Sequence, residues 1–180
     1  MTLIEQVDCE HPSLHWKHIQ CKDKIVVDLG CGRWEHIEQR DPSWPTTPEF
    51  FAKLGAKHVY AYDIDQKEID WHKEHTCPIY CQVTAIRLNI DSVNIIREIY
   101  NTHKPDTIKC DIEHNEKFLL ELTDEEFSSI QQYAIETHSD QLFDSFVQKF
   151  TSLNYKITAI IDLIHARPMK VIFAERNNNV

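Results

Sequence analysis

The 180-residue sequence predicts an α/β protein with a mostly parallel sheet of seven strands, helices on both faces and an antiparallel C-terminal hairpin. Two observations support this prediction. Hydrophobic runs rich in β-branched residues alternate with helical segments along most of the chain, which is typical of parallel strands joined by crossover helices. The last two runs, 156–163 and 169–174, are joined by a short connection that allows an antiparallel pair but no crossover helix.

In the first half of the chain, prolines and capping residues mark the predicted boundaries. Three prolines make 40–48 the least regular segment, because proline excludes a continuous helix or a central strand. The next helix has Pro48 in its first turn and Gly55 at its end, where each is favoured. The predicted elements are a short helix near 13–19, strands at 24–29 and 58–62, and helices at 47–54 and 66–75.

The second half continues the alternation up to the hairpin. Its clearest helix is 142–153, where apolar residues recur at helical spacing on one face. A chain of 180 residues is most simply one domain, so we predict one domain over 23–176, preceded by an N-terminal extension (1–22) and followed by a disordered tail (177–180). The remaining predicted elements are a β-type run at 79–88, helices at 92–100 and 117–122, and strands at 107–110 and 133–136.

Composition narrows the classes of function. The formal net charge of −10 is opposite to the basic surface that usually binds nucleic acid, which weighs against a nucleic-acid partner without excluding a local basic patch. The sequence has no apolar run long enough to span a bilayer, and its acidic N-terminus lacks a signal-peptide pattern. We therefore predict a cytoplasmic protein with no membrane association.

The most informative segment is the first strand and the glycine loop that follows it. The strand ends at Asp28 and leads into Gly30-Cys31-Gly32, which contains two of the three glycines in the chain. Glycines here let backbone N–H groups approach a ligand closely. Asp63 ends the next strand, at the position where an acid commonly binds the ribose hydroxyls of an adenosine-type ligand. The loop lacks the third glycine of a dinucleotide fingerprint and has no Walker A lysine.

An acid followed by Leu-Gly-Cys-Gly resembles motif I of class I S-adenosylmethionine-dependent methyltransferases. The resemblance implies a Rossmann-like methyltransferase fold and S-adenosylmethionine as the cofactor. By this resemblance the loop would hold the methionine part, Asp63 would bind the ribose, and Ile64 would lie against the adenine. The cofactor-binding residues implied here are Asp28, Gly30, Cys31, Gly32, Trp34, Asp63 and Ile64.

A second distinctive segment follows the strand at 107–110. Alternation along a strand predicts that Lys109, Asp111 and Glu113 share one face, and their mixed charges suggest that Lys109 pairs with Asp111 or Glu113. An acid at this position could accept a proton from a substrate hydroxyl. Further along, Glu136 and His138 share one face at the end of the fifth strand, pointing to the same rim as Asp111.

The segment 109–116 resembles the Lys-x-Asp-x-Glu-Gly-x-Glu signature of FkbM-type methyltransferases, with His114 in place of the glycine. The family consists mostly of O-methyltransferases of small molecules or sugars, so the resemblance implies O-methylation of such a hydroxyl. We predict that Asp111 is the base or orienting group, with Glu113 and Lys109 supporting it and His138 as a further candidate. Two alternatives remain: a non-catalytic adenosyl-ligand binding or assembly protein, and an RNA methyltransferase recruited by a partner.

Metal binding is weighed for two groups of residues. The N-terminal set does not have the spacing of a zinc site, so we expect solvent-exposed histidines and stray cysteines there. Near the predicted active site, a metal could be held by two acids and two histidines, although we predict no metal. The N-terminal set is Cys9, His11, His15, His18 and Cys21, and the second set is Asp111, Glu113, His114 and His138.

Overall fold

The strands of the computed structural model form one sheet in the order β1-β7-β8-β6-β5-β2-β3-β4. The structure describes residues 2–7, 11–32, 44–164 and 168–177. The elements in chain order are β1 (Leu3–Val7), α1 (Pro12–His15), β2 (Ile25–Leu29), α2 (Thr47–Lys53), β3 (His58–Asp63), α3 (Gln66–His75), β4 (Val83–Arg87), α4 (Val93–His103), β5 (Thr107–Cys110), α5 (Lys117–Leu120), α6 (Asp124–Ser128), β6 (Gln132–Thr137), α7 (Asp140–Ser152), β7 (Tyr155–Leu163) and β8 (Lys170–Arg176).

The predicted α/β class is confirmed, with one correction to the number of strands. Neighbouring strands are parallel except where β8 pairs with β6 and β7, so the C-terminal hairpin is antiparallel as predicted. The sheet has eight strands rather than seven. The additional strand, β1, lies within the segment predicted as an extension and pairs with β7 at the sheet edge. Because β1 buries only Val7, its hydrophobic pattern is weak.

Alternate residues of the central strands bury opposite faces of the sheet. Val27 and Leu29 pack in the cluster that includes α4, α6 and α7, whereas Val26 packs with α1 and α2 on the other face. Helices therefore cover both faces, as predicted. The strand β6 is buried along its whole length because β5 and β8 flank it.

Helix ends lie close to the predicted positions. Thr46 caps α2 and forms a capping box with Glu49. Gly55 ends this helix with a φ of +87°, in the left-handed region that glycine adopts without strain. The predicted tail lies outside the described residues except for Asn177. Among the described helices, none combines the length and the apolarity needed to cross a membrane.

Candidate functional site

The glycine loop after β2 lies directly against the turn after β5. Gly30 has a φ of +79°, and a Cβ at this position would lie 1.6 Å from the carbonyl oxygen of Asp111. The N–H of Gly30 donates to the carbonyl oxygen of Tyr62, and the N–H of Asp111 donates to that of Leu29, both at 2.9 Å. The loop is therefore held between β3 and β5, at the carboxyl ends where open α/β sheets bind ligands.

Gly32 brings the loop backbone against Asp63. A Cβ on Gly32 would lie 2.9 Å from Oδ2 of Asp63, so the carboxylate occupies the space that a side chain would fill. The other carboxylate oxygen, Oδ1, accepts a hydrogen bond from the N–H of Asp65 at 2.8 Å. This bond fixes the orientation of the Asp63 side chain at the end of β3.

The side chain of Cys31 points into the protein. It is fully buried and packs with Ala61, Ile69 and Ala85. Burial raises the pKa of its thiol well above the usual value, so the sulfur stays protonated and unreactive. Any contact of Cys31 with a ligand would thus come from its backbone. Trp34, the remaining predicted cofactor residue of this loop, lies outside the described residues.

Lys109 pairs most closely with Asp28, a partner that was not predicted, and more distantly with Asp111, one of the two predicted partners. Its Nζ lies 3.0 Å from Oδ1 of Asp28 and 3.9 Å from Oδ2 of Asp111. It also donates to the carbonyl oxygen of Gly30. Burial raises the pKa of Asp28, and the neighbouring Lys109 ammonium reduces that rise. Burial alone would lower the pKa of Lys109, but the negative charge of Asp28 outweighs it, so the pKa of Lys109 is raised. Both side chains are almost fully buried, so the pair supports the glycine loop from beneath.

A cavity of about 300 Å³ opens beside the loop. This volume is at the lower end of the range found for small-molecule sites. The cavity brings together five of the predicted site residues from the ends of three strands, namely Gly30, Asp63, Ile64, Asp111 and Glu113. The other lining residues are Tyr62, Leu88, Asn89, Ile90, Ile112 and Asn115.

Four carboxylates surround His138 at one side of this cavity. Its Nδ1 lies 3.1 Å from Glu116, and its Nε2 lies 3.5 Å from Glu113, 3.6 Å from Glu136 and 3.7 Å from Asp111. We call these five residues the histidine–carboxylate cluster. The predicted convergence of Asp111, Glu113, Glu136 and His138 is therefore present in the structure.

The cluster extends into the protein through His15 of α1. Nε2 of His15 lies 2.7 Å from Oε2 of Glu136, and both side chains are buried. The expectation that His15 is solvent-exposed is therefore wrong. The helix α1 and the residues that follow it pack on the same face of the sheet as α2. This packing places His15 of α1 beneath the end of β6. Of the other residues in this N-terminal set, Cys21 is buried as well.

The cluster shifts the ionisation of its members. Burial, followed by the charge of Glu136, raises the pKa of Asp111 to about 7. Burial alone would lower the pKa of His138, but the contact with Glu116 and the charges of Asp111 and Glu136 raise it to about 9. A carboxyl and an imidazole with such shifted values, side by side at a cavity, are typical of functional sites.

Sequence reasoning missed Glu116 as a member of the cluster. It is fully buried at the start of α5, and its Oε1 accepts a hydrogen bond from the N–H of Ile112 at 2.9 Å. In the turn that precedes Glu116, two consecutive residues, Glu113 and His114, have positive φ values of +52° and +72°. The final acid of the Lys-x-Asp-x-Glu-Gly-x-Glu pattern was the signal that could have identified Glu116.

Comparisons with known proteins bear on the fold. No protein-family model matches the sequence, and no curated protein matches it. Among solved structures, a putative tRNA (m1A22) methyltransferase of Streptococcus pneumoniae is similar, with a TM-score of 0.61, 12% identity, and coverage of 95% of this chain and 71% of that one. The chain has a Rossmann-like methyltransferase fold.

Two further solved structures agree with this fold. The ribosomal protein L11 methylase of Lactobacillus delbrueckii subsp. bulgaricus has a TM-score of 0.56 and 18% identity, covering 93% of this chain and 77% of that one. The fibrillarin pre-rRNA processing protein of Methanococcus jannaschii has a TM-score of 0.60 and 16% identity, covering 87% of this chain and 67% of that one. Since proteins named for tRNA and pre-rRNA share the fold, the argument from charge against a nucleic-acid partner is not supported.

Proposed function

We propose that the protein is an S-adenosylmethionine-dependent methyltransferase. One observation carries the proposal: the glycine loop, the acid that ends β3 and the acids that follow β5 surround a single cavity. The similar solved structures named as methyltransferases support it through their shared fold. At the loop, Gly30 and Gly32 present only backbone to the site, because a side chain at either position would meet Asp111 or Asp63.

The charge of the cavity favours this cofactor over phosphate-bearing ones. Three carboxylates line it, from Asp63, Asp111 and Glu113, and no lysine or arginine is among its described lining residues. A nucleotide phosphate would face repulsion here, whereas a positively charged ligand is attracted. S-adenosylmethionine supplies a methyl group attached to a positively charged sulfur.

Each wall of the cavity has a proposed part in cofactor binding. The carboxylate of Asp63 would accept hydrogen bonds from ribose hydroxyls, as acids at this position commonly do. The backbone of 30–32 would lie along the methionine part. Ile64 is 59% exposed and offers an apolar surface to the adenine. Asp28 would act from beneath, because its ion pair keeps Lys109 against the carbonyl oxygen of Gly30.

For the acceptor, we propose a hydroxyl of a small molecule or sugar, in line with the FkbM-type resemblance. Asp111 lies at the cavity wall, where it would orient the hydroxyl and accept its proton. Glu113 lines the same wall, and Lys109 and His138 lie within 4 Å of the Asp111 carboxylate. Catalysis would depend mainly on holding the acceptor oxygen in line with the methyl group.

An RNA acceptor, reached through a partner that supplies basic surface, is the second candidate. The observation that favours it is the shared fold with proteins named for tRNA and pre-rRNA. A third reading is a binding protein that holds the cofactor without methyl transfer. Turnover on a panel of small hydroxylated acceptors supports the first candidate, whereas strongly salt-dependent RNA binding supports the second. Cofactor binding without any turnover supports the third.

The first experiment is calorimetric titration of the wild type and Asp63→Ala with S-adenosylmethionine and S-adenosylhomocysteine. We expect wild-type binding, weakened about tenfold to a hundredfold by the substitution because a charged hydrogen-bond acceptor is lost. Asp70→Ala is the matched control, since Asp70 is exposed on α3 and outside the cavity lining. Absence of binding by the folded wild type would overturn the proposal.

A further inference from the structure

The imidazole of His138 has an unusual environment on its Nε2 side. The side chain is only 5% exposed, yet neither ring nitrogen makes a hydrogen bond within the described residues. Three carboxylates face it at 3.5–3.7 Å, from Asp111, Glu113 and Glu136. Buried polar atoms nearly always have a partner, so an imidazole nitrogen directed into a group of acids calls for a bound species.

The opposite side of the ring faces a fourth carboxylate at ion-pair distance. Nδ1 lies 3.1 Å from Oε1 of Glu116, a carboxylate with no exposed surface. That oxygen is itself fixed by the N–H of Ile112. A carboxylate on one ring nitrogen, with the other nitrogen directed at further ligands, is the usual arrangement of a metal-binding histidine. Glu116 thus acts as a positioning residue for His138.

The spacing of the acids also suits a cation. Nε2 of His138 lies 3.5 Å from Oε2 of Glu113 and 3.7 Å from Oδ1 of Asp111, and ligand atoms of all three residues lie within 4.8 Å of one another. A divalent ion with bonds of about 2.1 Å separates neighbouring ligands by about 3.4 Å in tetrahedral geometry. Small side-chain movements would therefore bring all three ligands into range.

We propose that Asp111, Glu113 and His138 bind a divalent transition-metal cation. Two carboxylates and one imidazole suit Mn²⁺, Fe²⁺ or Zn²⁺. They suit Ca²⁺ less well, because Ca²⁺ prefers sites made only of oxygen ligands. His114, included in the alternative set considered from the sequence, is not a ligand in this arrangement, although its ring lies 5.2 Å from that of His138.

The position of this ion links it to the cavity. Asp111 and Glu113 line the cavity as well as the proposed metal site, so the ion would lie at its wall. Such an ion coordinates oxygen atoms, and a hydroxylated acceptor, above all one with two neighbouring oxygens, is the class of substrate it would orient. This assignment of the substrate rests on the proposed function, whereas the metal site itself does not.

Titration of the cofactor-free protein with Mn²⁺, followed by the electron paramagnetic resonance signal of the free ion, tests the site. We expect the wild type to remove Mn²⁺ from solution and Glu113→Gln to weaken binding about tenfold or more. Glu113 is 77% exposed, so this variant should fold normally. Glu125→Gln is the control, because Glu125 is an exposed acid outside the cluster.

Two outcomes would overturn the metal site: no binding of Mn²⁺ at millimolar concentration, or equal weakening by Glu113→Gln and Glu125→Gln. Glu116→Gln provides a second measurement, in which the loss of the positioning carboxylate should lower Mn²⁺ affinity about tenfold. Because the titration contains no S-adenosylmethionine, a protein that binds Mn²⁺ but no cofactor would retain the metal site and lose the proposed function.

Discussion

Two groups of residues beside the cavity, which we call the glycine wall and the charged wall, are built in different ways. The glycine wall, Gly30, Gly32 and Asp63, is defined by close approach, because a Cβ on Gly30 would overlap the backbone of Asp111 and one on Gly32 would meet the carboxylate of Asp63. The charged wall, which is the histidine–carboxylate cluster, is defined by charge, with four acids around one imidazole. The glycine wall depends on the absence of side chains at two positions, and the charged wall depends on the balance between acids and one imidazole. Substitutions should therefore damage the two walls for different reasons.

The origin of their residues differs as well. The glycine wall comes from two consecutive parallel strands, β2 and β3, whose ends are adjacent by the topology of the sheet. The cluster combines residues after β5 with residues at the end of β6, and it contacts His15 from far along the chain. A wall assembled from local turns tolerates few substitutions, whereas a charged cluster tolerates neutral replacements better than unbalanced ones.

Gly30→Ala should have the largest effect. The new Cβ would overlap a backbone oxygen of Asp111 and would force a left-handed φ on alanine. We expect a loss of more than about 5 kcal/mol, enough to prevent folding of a domain of ordinary stability. Circular dichroism shows whether the variant folds, and urea unfolding measures any remaining free energy of unfolding.

Gly55→Ala is the matched control, since Gly55 also has a positive φ but its Cβ would only touch Lys22 at 3.7 Å. We expect it to fold with a loss of about 1–2 kcal/mol. Equal losses for the two alanine variants would show that φ alone, and not the close approach of two turns, determines the glycine wall.

Lys109→Met should have the next largest effect. It leaves the carboxylate of Asp28 buried without its cation, which costs about 3–5 kcal/mol in urea unfolding. Adding Asp28→Asn to this variant should recover most of the loss, because no charge then remains buried without a partner. If the double variant is as unstable as Lys109→Met, the unpaired charge of Asp28 is not the cause of the lost stability.

The glycine wall could be predicted from the sequence because its signals are local. Asp28, the two glycines and Asp63 all stand at strand ends that hydrophobic runs reveal directly. The pairing of Lys109 could not be predicted in the same way. Alternation places Lys109 on one face of β5 but does not say that Asp28 of the neighbouring β2 lies closer than Asp111.

The cluster was predicted only in part, for a related reason. Asp111, Glu113, Glu136 and His138 follow from strand periodicity and parallel topology. Glu116, and the contact of the cluster with His15, do not follow in this way, because Glu116 depends on a turn with two positive φ values and His15 on how α1 packs beneath the sheet. The edge strand β1 was missed because only Val7 is buried, which leaves almost no hydrophobic signal.

Gly32→Ala should have the smallest effect on stability and a clear effect on binding. Its Cβ would meet only Oδ2 of Asp63, at the end of a side chain that can rotate away. Since Gly32 does not have a positive φ, alanine adds no backbone strain. We expect a change in the free energy of unfolding below about 1 kcal/mol. Displacement of the Asp63 carboxylate should lower S-adenosylmethionine affinity about tenfold, as measured by calorimetric titration.

A double-mutant cycle then decides whether the two residues act together. If Gly32→Ala weakens binding by displacing Asp63, it should cost little further affinity once Asp63→Ala is present. Additive losses would mean that the loop backbone contacts the cofactor independently of Asp63. Because both variants leave the histidine–carboxylate cluster unchanged, their Mn²⁺ affinities should equal that of the wild type. The cycle thus separates steric damage to the glycine wall from any effect on the charged wall.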